Sequence, residues 1–282
     1  MHVFITGATG WIGSATVDEL LTAGHKVTGL ARSPAAADAL EAKGATAARG
    51  DLDDLDALRR GAGAADAVVH LANKHDWADP QESDRADRAA IGAMAAALAG
   101  SDRPLVVVDG LSALAGDRPV LESDVDPDGN EHHGVPGVRT IAVRFAPSVH
   151  GHGDWGFVQF LADAARRTGV SAYLGDGSTP WSAVHRGDAA RLLRLGLESA
   201  PAGARLHAVA EESIPTRAIA EALGQALDLP VASVADPGHF GFVGGFFGLH
   251  LAASSAATRA LLGWHPTGPG LLDDIRAGAY TA

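Results

Sequence analysis

The chain contains no cysteine among its 282 residues. A disulfide, a thiolate metal site and a cysteine nucleophile are therefore excluded. Basic residues are also few, with 22 Lys and Arg against 34 Asp and Glu and a formal net charge of −12. This balance disfavours a surface for nucleic acid or an anionic membrane, because both require clustered positive charge. It does not exclude a phosphorylated cofactor, since a few backbone amides at one helix end can bind phosphate locally.

The sequence also lacks a long uninterrupted apolar run. The longest, over residues 240–253, is broken by glycines and a histidine and is too short to cross a bilayer. The first residues include neither a basic segment nor a long apolar stretch, so we expect no signal peptide. With 46% hydrophobic and 20% charged residues, the composition is typical of a folded globular protein. We expect a cytoplasmic monomer or homodimer that binds a small-molecule substrate.

Short β-rich runs alternate with Ala- and Leu-rich helical stretches over the first 110 residues. The predicted strands lie at 2–6, 26–31, 45–48, 67–71 and 105–108, and the predicted helices at 11–23, 35–42, 53–61 and 81–99. Such alternation is typical of right-handed crossovers in a parallel sheet that is covered on both faces. The sequence therefore predicts an α/β fold with a Rossmann-type doubly wound parallel sheet.

The pattern changes after residue 110. Residues 116–137 are rich in Asp, Glu, Gly and Pro, which disfavours a long helix. A strand is predicted at 138–145, followed by helices near 155–167, 188–198, 216–227 and 255–262. We predict residues 1–150 as the dinucleotide-binding domain, to which part of 180–210 returns. Residues 151–282 are predicted as mainly a small C-terminal α/β lobe that binds the substrate.

A glycine-rich turn, Thr6-Gly7-Ala8-Thr9-Gly10-Trp11-Ile12-Gly13, joins the first predicted strand to the first predicted helix. At such a junction the first glycine permits a tight turn, the second lets the backbone approach a pyrophosphate, and the third lets helix and strand pack closely. The pyrophosphate then lies on amides at the positive end of the helix. The residues predicted to bind the cofactor here are Gly7, Thr9, Gly10, Trp11, Ile12 and Gly13.

The end of the second predicted strand indicates which cofactor binds. NAD-dependent enzymes place an acidic residue there for the ribose 2′-hydroxyl, whereas a basic residue suits a 2′-phosphate. Here the chain reads Ala31-Arg32-Ser33, with no carboxylate. Arg32 could pair with the 2′-phosphate, helped by Ser33, so the sequence favours NADP(H). The alternative is that Arg32 is a solvated loop residue.

Further motifs follow in the order of a known family, at Asp51-Leu52, at His70-Leu71-Ala72 and over 143–151, 181–190 and 258–266. On these motifs the chain resembles the extended short-chain dehydrogenases/reductases, the NAD-dependent epimerase/dehydratase group. The resemblance implies that Asp51 and Leu52 hold the adenine. It also implies that Leu71, Ala72 and Asn73 line the ribose, and that Ala146, Pro147 and Ser148 contact the nicotinamide side.

The catalytic pair usual in this family is missing from the sequence. Such reductases carry a Tyr and a Lys four residues apart, with the Tyr as general acid. The two tyrosines here, Tyr173 and Tyr280, have no lysine at that spacing, and all three lysines precede residue 75. The residues considered as replacement proton donors are Asp109, Ser112 and His133. Asp109 has an alternative role in capping a turn, and His133 lies in a stretch that is also typical of a solvated loop.

Aromatic and histidine residues in the loops after predicted strands suggest an apolar or aromatic substrate pocket. The residues assigned to it are His75, Trp77, Trp155, Trp181 and His185. An alternative for Trp181 is packing between the two lobes. His150 and His152 are surrounded by glycines and have no acidic partner at ligand spacing, so no metal is predicted.

Together these observations predict an NADPH-dependent oxidoreductase that works without the usual Tyr–Lys acid. Its substrate would be a small carbonyl, enone, quinone or imine, since an electrophilic acceptor needs less help from a general acid. Two alternatives stay open. One is an NADP-binding sensor or regulator without turnover, and the other is a redox-neutral isomerase or cyclase on the same fold.

Overall fold

The computed structural model describes residues 1–74, 76, 79–126 and 136–281. The chain divides into two compact units. The first unit comprises the described residues of Met1–Asp109, Glu131–Val143 and Ala190–Leu206, and the second those of Gly110–Asn130, Arg144–Ala189 and His207–Ala282. No helix in the described part of the chain is long and apolar enough to cross a membrane.

Twelve strands are present in the described residues. They are β1 (His2–Thr6), β2 (Lys26–Ala31), β3 (Thr46–Arg49), β4 (Ala67–His70), β5 (Pro104–Gly110), β6 (Arg139–Phe145), β7 (Ser148–His150), β8 (Ser171–Leu174), β9 (Pro180–His185), β10 (Arg205–Ala208), β11 (Glu211–Pro215) and β12 (Val231–Val234).

Ten α-helices connect or follow these strands in the same residues. They are α1 (Trp11–Thr22), α2 (Pro34–Ala42), α3 (Leu55–Gly63), α4 (Pro80–Leu98), α5 (Phe157–Thr168), α6 (Arg186–Ser199), α7 (Thr216–Leu227), α8 (Gly244–Phe247), α9 (Ala256–Leu262) and α10 (Leu271–Arg276).

The central sheet has seven strands in the order β10-β6-β5-β4-β1-β2-β3. The pairs β1–β2, β1–β4, β2–β3 and β4–β5 are parallel. Strand order reverses between β1 and β4, as in a doubly wound sheet, and such sheets bind ligands at the carboxyl ends of their strands. The predicted Rossmann-type parallel sheet is therefore confirmed.

The core of the first unit lies between this sheet and the helices α3 and α4. Phe4, Leu58, Met94 and Leu105 are fully buried in one cluster. The N-termini of α2, α3 and α4 carry side-chain caps, because Ser33, Asp54 and Asp79 each accept a backbone N–H of the first helical turn. These local signals explain why the predicted helices of this unit agree with the observed ones to within about two residues.

The second unit contains two small sheets, with strand orders β11-β9-β7 and β12-β8. Its core joins helices α5, α7 and α10 to β9 around Trp181, Leu223, Phe247 and Ile275. The sequence predicted its longer helices but not its short strands. No α-helix occurs in the described residues of 116–137, as expected, while 127–135 lie outside the described residues.

Candidate functional site

The glycine turn between β1 and α1 is shaped by close backbone contacts. Gly7 has a positive φ of 65°, and the N–H of Gly10 donates to its carbonyl oxygen over 2.9 Å. A Cβ at Gly7 would lie 2.7 Å from the backbone nitrogen of Ala72, and one at Gly13 would lie 2.0 Å from the carbonyl oxygen of Gly7. Only glycine fits at either position.

The N-terminus of α1 opens directly from this turn. Gly10 is its N-cap, and none of the described side chains caps this end of the helix. A helix N-terminus presents backbone N–H groups and a partial positive charge, both of which favour a phosphate. The turn and this helix end thus have the backbone features of the predicted pyrophosphate cradle, with Thr9, Trp11 and Ile12 in the same segment. Their contact with a cofactor stays a prediction.

The residues predicted to select the cofactor follow β2. Arg32 is exposed immediately after the strand ends at Ala31. The Ser33 hydroxyl accepts the N–H of Ala36 over 3.2 Å and caps α2. The Arg32 guanidinium is accessible to an anion, whereas the Ser33 hydroxyl already caps α2.

Asp51 and Leu52, assigned to the adenine by the resemblance, follow β3. One oxygen of the Asp51 carboxylate accepts the N–H groups of Asp53 and Asp54, each over 3.0 Å. Leu52 is buried in the core of the first unit. Asp51 therefore shapes the turn that leads into α3, a role that is compatible with contact to an adenine.

Leu71, Ala72 and Asn73 follow β4 in the same unit as the glycine turn. The N–H groups of Leu71 and Ala72 each donate to the Thr6 hydroxyl oxygen over 3.2 Å. Thr6 thus holds residues 71–73 against the turn; we call these residues the ribose-side segment, after the role that the resemblance implies for them. Residues 6–13, 31–33 and 71–73 all follow carboxyl ends of neighbouring parallel strands, which is where this fold binds its ligands.

One set of contacts in this unit has no complete signal in the sequence. The Thr6 hydroxyl also contacts His70 Nδ1 over 2.7 Å, and His70 Nε2 contacts Asp87 Oδ1 on α4 over 3.0 Å. Thr6 and His70 belong to the sequence motifs, but Asp87 lies in an ordinary helical pattern. No local spacing rule indicates that contact.

The proposed proton donors occupy different settings. Asp109 is half-buried near the carboxyl end of β5 in the first unit. Ser112 is exposed at the start of a short 3₁₀ helix in the second unit, after the buried Leu111. His133 lies outside the described residues. These three assignments stay predictions.

The residues assigned to the nicotinamide side lie in the second unit. Ala146 and Ser148 are buried and Pro147 is half-buried, between β6 and β7. Strand β7 pairs in parallel with β9, with His150 opposite His185. This pairing fixes the backbone of the segment that the resemblance assigns to the cofactor.

The aromatic residues assigned to the substrate divide into two settings. Trp155 is 57% exposed, whereas Trp181 is fully buried and packs against Phe157 and Phe247, with ring centroids 6.0 and 5.2 Å away. Trp181 is thus a core residue of the second unit, and its predicted place in a pocket wall has no support in this geometry. His185 is half-buried. His75 and Trp77 lie outside the described residues.

Tyr280 does not have the environment of a general acid. Tyr280 is buried, and its hydroxyl donates to Asp154 Oδ2 over 2.7 Å. Burial, together with that carboxylate, raises the pKa of Tyr280 far above its ordinary value, which makes it a poor proton donor. Tyr173 lies in β8, where the Arg217 guanidinium is 5.5 Å from its ring centroid.

A buried histidine links β7 to α10 in the second unit. His150 Nδ1 lies 2.6 Å from Asp274 Oδ2, and the imidazole is completely buried. Burial lowers the pKa of His150, although the Asp274 carboxylate opposes that effect. A neutral ring that donates its Nδ1–H to Asp274 satisfies both observations. In the described residues, no three His, Asp or Glu side chains form a group that could hold a metal.

Comparison with known proteins agrees with these features. Residues 3–102 match the sequence profile of the "NAD dependent epimerase/dehydratase family". An uncharacterized protein of Schizosaccharomyces pombe is 40% identical over 294 residues, covering 99% of this chain and 100% of that protein. A shorter match of 79 residues, also 40% identical, covers 28% of this chain and 20% of a 2-alkyl-3-oxoalkanoate reductase of Shewanella oneidensis.

A solved structure has the same fold. A dTDP-glucose 4,6-dehydratase of Streptomyces venezuelae, crystallised with NAD, superposes with a TM-score of 0.77 at 19% identity, over 99% of this chain and 96% of that one. The glycine turn, where a Cβ at Gly7 or Gly13 would clash with backbone atoms, fits a nicotinamide dinucleotide. By its fold, its motifs and its full-length relative, the chain belongs to the NAD-dependent epimerase/dehydratase family of extended short-chain dehydrogenases/reductases.

Proposed function

We propose that the protein is an NADPH-dependent oxidoreductase that reduces a small apolar or aromatic substrate. The observation that carries the proposal is the glycine turn at the N-terminus of α1. Its first and third glycines have no room for a Cβ, and the helix end above them has no side-chain cap among the described residues. This arrangement leaves backbone amides for a pyrophosphate.

The preference for NADPH rests on the end of β2. Exposed Arg32 follows this strand, and the chain has no carboxylate there that would accept a ribose 2′-hydroxyl. A guanidinium and a 2′-phosphate form charge-assisted hydrogen bonds with good geometry. The same carboxyl edge provides Asp51, Leu52, Leu71, Ala72 and Asn73 for the adenosine half of the cofactor.

Bound NADPH would supply the hydride. The chain itself must bind the cofactor, position the acceptor and deliver a proton. Positioning alone provides a large part of the rate enhancement, whereas a general acid contributes about 10²–10⁴-fold. An already electrophilic acceptor, such as an enone, quinone or imine, therefore suits a site without the Tyr–Lys pair. Asp109, Ser112 and His133 are the proposed donors or relays of the proton.

An apolar acceptor is supported by two observations. The exposed Trp155 offers an aromatic surface in the second unit. The partial relative from Shewanella is named as a reductase of 2-alkyl-3-oxoalkanoates, which are oxo acids that carry apolar alkyl chains. We propose a small-molecule substrate of this apolar type for a cytoplasmic monomer or homodimer.

Cofactor binding tests the first part of the proposal. Titration of the purified protein with NADPH and with NADH, followed by cofactor fluorescence, should give a lower Kd for NADPH. Arg32→Ala should raise the Kd for NADPH by about 10- to 100-fold, since hydrogen bonds to charged groups contribute about 1.5–3 kcal/mol. The Kd for NADH should change little. Equal affinities for the two cofactors in the wild type would refute the NADPH preference.

Arg88→Ala is the matched control for this titration. Arg88 is an exposed arginine on α4 of the same unit, so its removal causes the same change in net charge away from the end of β2. The control should leave the Kd for NADPH unchanged. If both variants weaken binding equally, a general charge effect explains the loss and Arg32 has no specific role.

Turnover tests the second part. NADPH oxidation should be followed with a panel of enones, quinones, imines and ketones that carry apolar groups. If none of these compounds causes NADPH oxidation although NADPH binds tightly, the result would instead support a sensor without turnover. Product formation that persists when NADP⁺ replaces NADPH would support a redox-neutral isomerase or cyclase.

A further inference from the structure

We infer that Asp87 and His70 are positioning residues for the cofactor, acting through Thr6 on the amides of Leu71 and Ala72. The inference rests on the proposed function, because it assigns these residues to the binding of NADPH. All five residues lie in the first unit. None of them has to touch the reacting atoms.

The contacts form one continuous chain from α4 to the ribose-side segment. Asp87 Oδ1 lies 3.0 Å from His70 Nε2, and His70 Nδ1 lies 2.7 Å from Thr6 Oγ1. Thr6 Oγ1 accepts the N–H groups of Leu71 and Ala72 over 3.2 Å each. Thr6 and His70 are buried, and the Asp87 side chain is 15% exposed. Water therefore competes little for these bonds.

The numbers of donors and acceptors allow only one direction of hydrogen-bond donation, from Thr6 through His70 to Asp87. The Thr6 hydroxyl has one proton and two lone pairs, and the two amides occupy the lone pairs. Its proton must therefore be donated to His70 Nδ1. The imidazole then carries its own proton on Nε2 and donates it to the Asp87 carboxylate. Because a carboxylate can only accept, Asp87 selects this tautomer.

The selected tautomer matters because the ribose-side segment touches the glycine turn. A Cβ at Gly7 would lie 2.7 Å from the nitrogen of Ala72 and from the carbonyl carbon and oxygen of Leu71. With the other tautomer, His70 Nδ1–H would compete with the two amides for the Thr6 oxygen. The Leu71 N–H also donates to the Thr6 carbonyl oxygen over 3.3 Å, so the Ala72 N–H would be the one to lose its acceptor. The segment would then shift against the turn that holds the pyrophosphate.

Asp87→Asn tests the carboxylate with little change in shape. The amide can present its N–H₂ to Nε2 and so permit the wrong tautomer. We expect the Kd for NADPH to rise about 5- to 30-fold, the range for loss of one or two ordinary stabilising contacts. Asp84→Asn is the matched control, since Asp84 is an exposed aspartate three positions earlier on the same helix. It should leave the Kd unchanged.

Thr6→Val and Thr6→Ser test the other end of this series of hydrogen bonds. Valine has the shape of threonine without the hydroxyl, whereas serine keeps the hydroxyl. We expect Thr6→Val to weaken NADPH binding by a similar factor and Thr6→Ser to retain most of the affinity. If Asp87→Asn fails to fold, Thr6→Val still tests the inference, because NADPH binding within twofold of the wild type would overturn it.

Two readouts separate positioning from a general structural role. The double variant Thr6→Val/Asp87→Asn should bind NADPH about as well as Thr6→Val alone, because both substitutions interrupt the same series of hydrogen bonds. At saturating NADPH and substrate, kcat should stay near the wild-type value while the KM for NADPH rises. A general loss of structure would instead lower the active fraction and hence kcat, without changing that KM.

The outcomes distinguish this inference from the proposed function. If the wild type binds no NADPH, the proposed function fails. If the wild type binds NADPH and both Asp87→Asn and Thr6→Val bind it within twofold of the wild type, the function stands and the inference is wrong. Multiplicative effects in the double variant would also overturn it, since they would indicate two independent contributions.

Discussion

Replacing Tyr280 by phenylalanine should destabilise the second unit by removing one buried hydroxyl. The side chain is 1% exposed, and its hydroxyl donates to Asp154 Oδ2 over 2.7 Å. Asp154 is itself buried and also accepts backbone N–H groups, including that of Gly156 over 2.7 Å. The variant therefore leaves a buried carboxylate oxygen without its strongest neutral donor. Hydrogen bonds to charged groups contribute about 1.5–3 kcal/mol, so we expect a loss of about 2 kcal/mol near neutral pH.

The loss should depend on pH because it acts through Asp154. Burial raises the pKa of Asp154 above its ordinary value of 3.8, while the Tyr280 hydroxyl and nearby amides lower it. Removing the hydroxyl raises the pKa of Asp154 further. A carboxyl whose folded pKa is raised loses its stabilising contribution as the pH rises through that pKa. The free energy of unfolding of the variant should therefore be furthest below that of the wild type near neutral pH. The difference should shrink on acidification towards about pH 4.

Urea unfolding at both pH values measures the difference, and Tyr173→Phe provides the matched control. Tyr173 is half-buried in β8, and its hydroxyl makes no hydrogen bond with the residues that the structure describes. The control removes the same atom and should change stability by less than about 0.5 kcal/mol. Equal losses for the two variants, or a Tyr280→Phe loss that is the same at both pH values, would refute the reasoning.

Three further predictions concern other described residues. Gly13→Ala should weaken NADPH binding by about 100-fold or more in a fluorescence titration, because its Cβ would lie 2.0 Å from a carbonyl oxygen of the turn. Gly63→Ala, where a Cβ meets nothing within 4 Å, should bind normally, and weak binding by both would contradict the argument. Asp274→Ala should cost about 1–3 kcal/mol in urea unfolding by leaving the buried Nδ1–H of His150 without an acceptor, whereas Asp274→Asn should cost less. Burial lowers the pKa of His207, so its stabilising contribution is present above the unfolded pKa and is lost as the pH falls below it. His207→Gln should therefore show a shallower loss of stability than the wild type between about pH 7 and pH 5, and an unchanged slope would exclude this role.

The first part of the fold could be predicted because its signals are local. The strands and helices up to β5 follow from alternating β-rich and helical stretches, and Ser33 and Asp54 mark helix starts through their caps. The requirement for glycine at position 13 is local as well, since its Cβ would meet Gly7 and Ala8 of the same turn, whereas the approach of Leu71 and Ala72 to Gly7 is a tertiary contact. The short strands of the second unit give no such signal. Strand β8 (Ser171–Leu174) pairs with β12 (Val231–Val234), and each has only four residues, too few for a periodic pattern.

In the candidate site, too, some features could be predicted from the sequence and others could not. The place of Arg32 at the end of β2 could be predicted from the sequence, because it depends only on where that strand ends, while its contact with the cofactor stays a prediction. The sequence could not show that Trp181 is a core residue, since an aromatic side chain in a strand suits a pocket wall and a buried sheet face equally well. Nor could it show that Asp87 contacts His70.

By itself the sequence determined the parallel α/β architecture, the glycine turn at the start of α1 and the absence of the Tyr–Lys pair. These features depend on residue identities and spacings within a few positions. Only the tertiary structure decided that Tyr280 contacts Asp154 and that His150 contacts Asp274, pairs separated by 126 and 124 positions. Such contacts depend on which faces of distant elements pack together, and burial then makes each hydrogen bond obligatory.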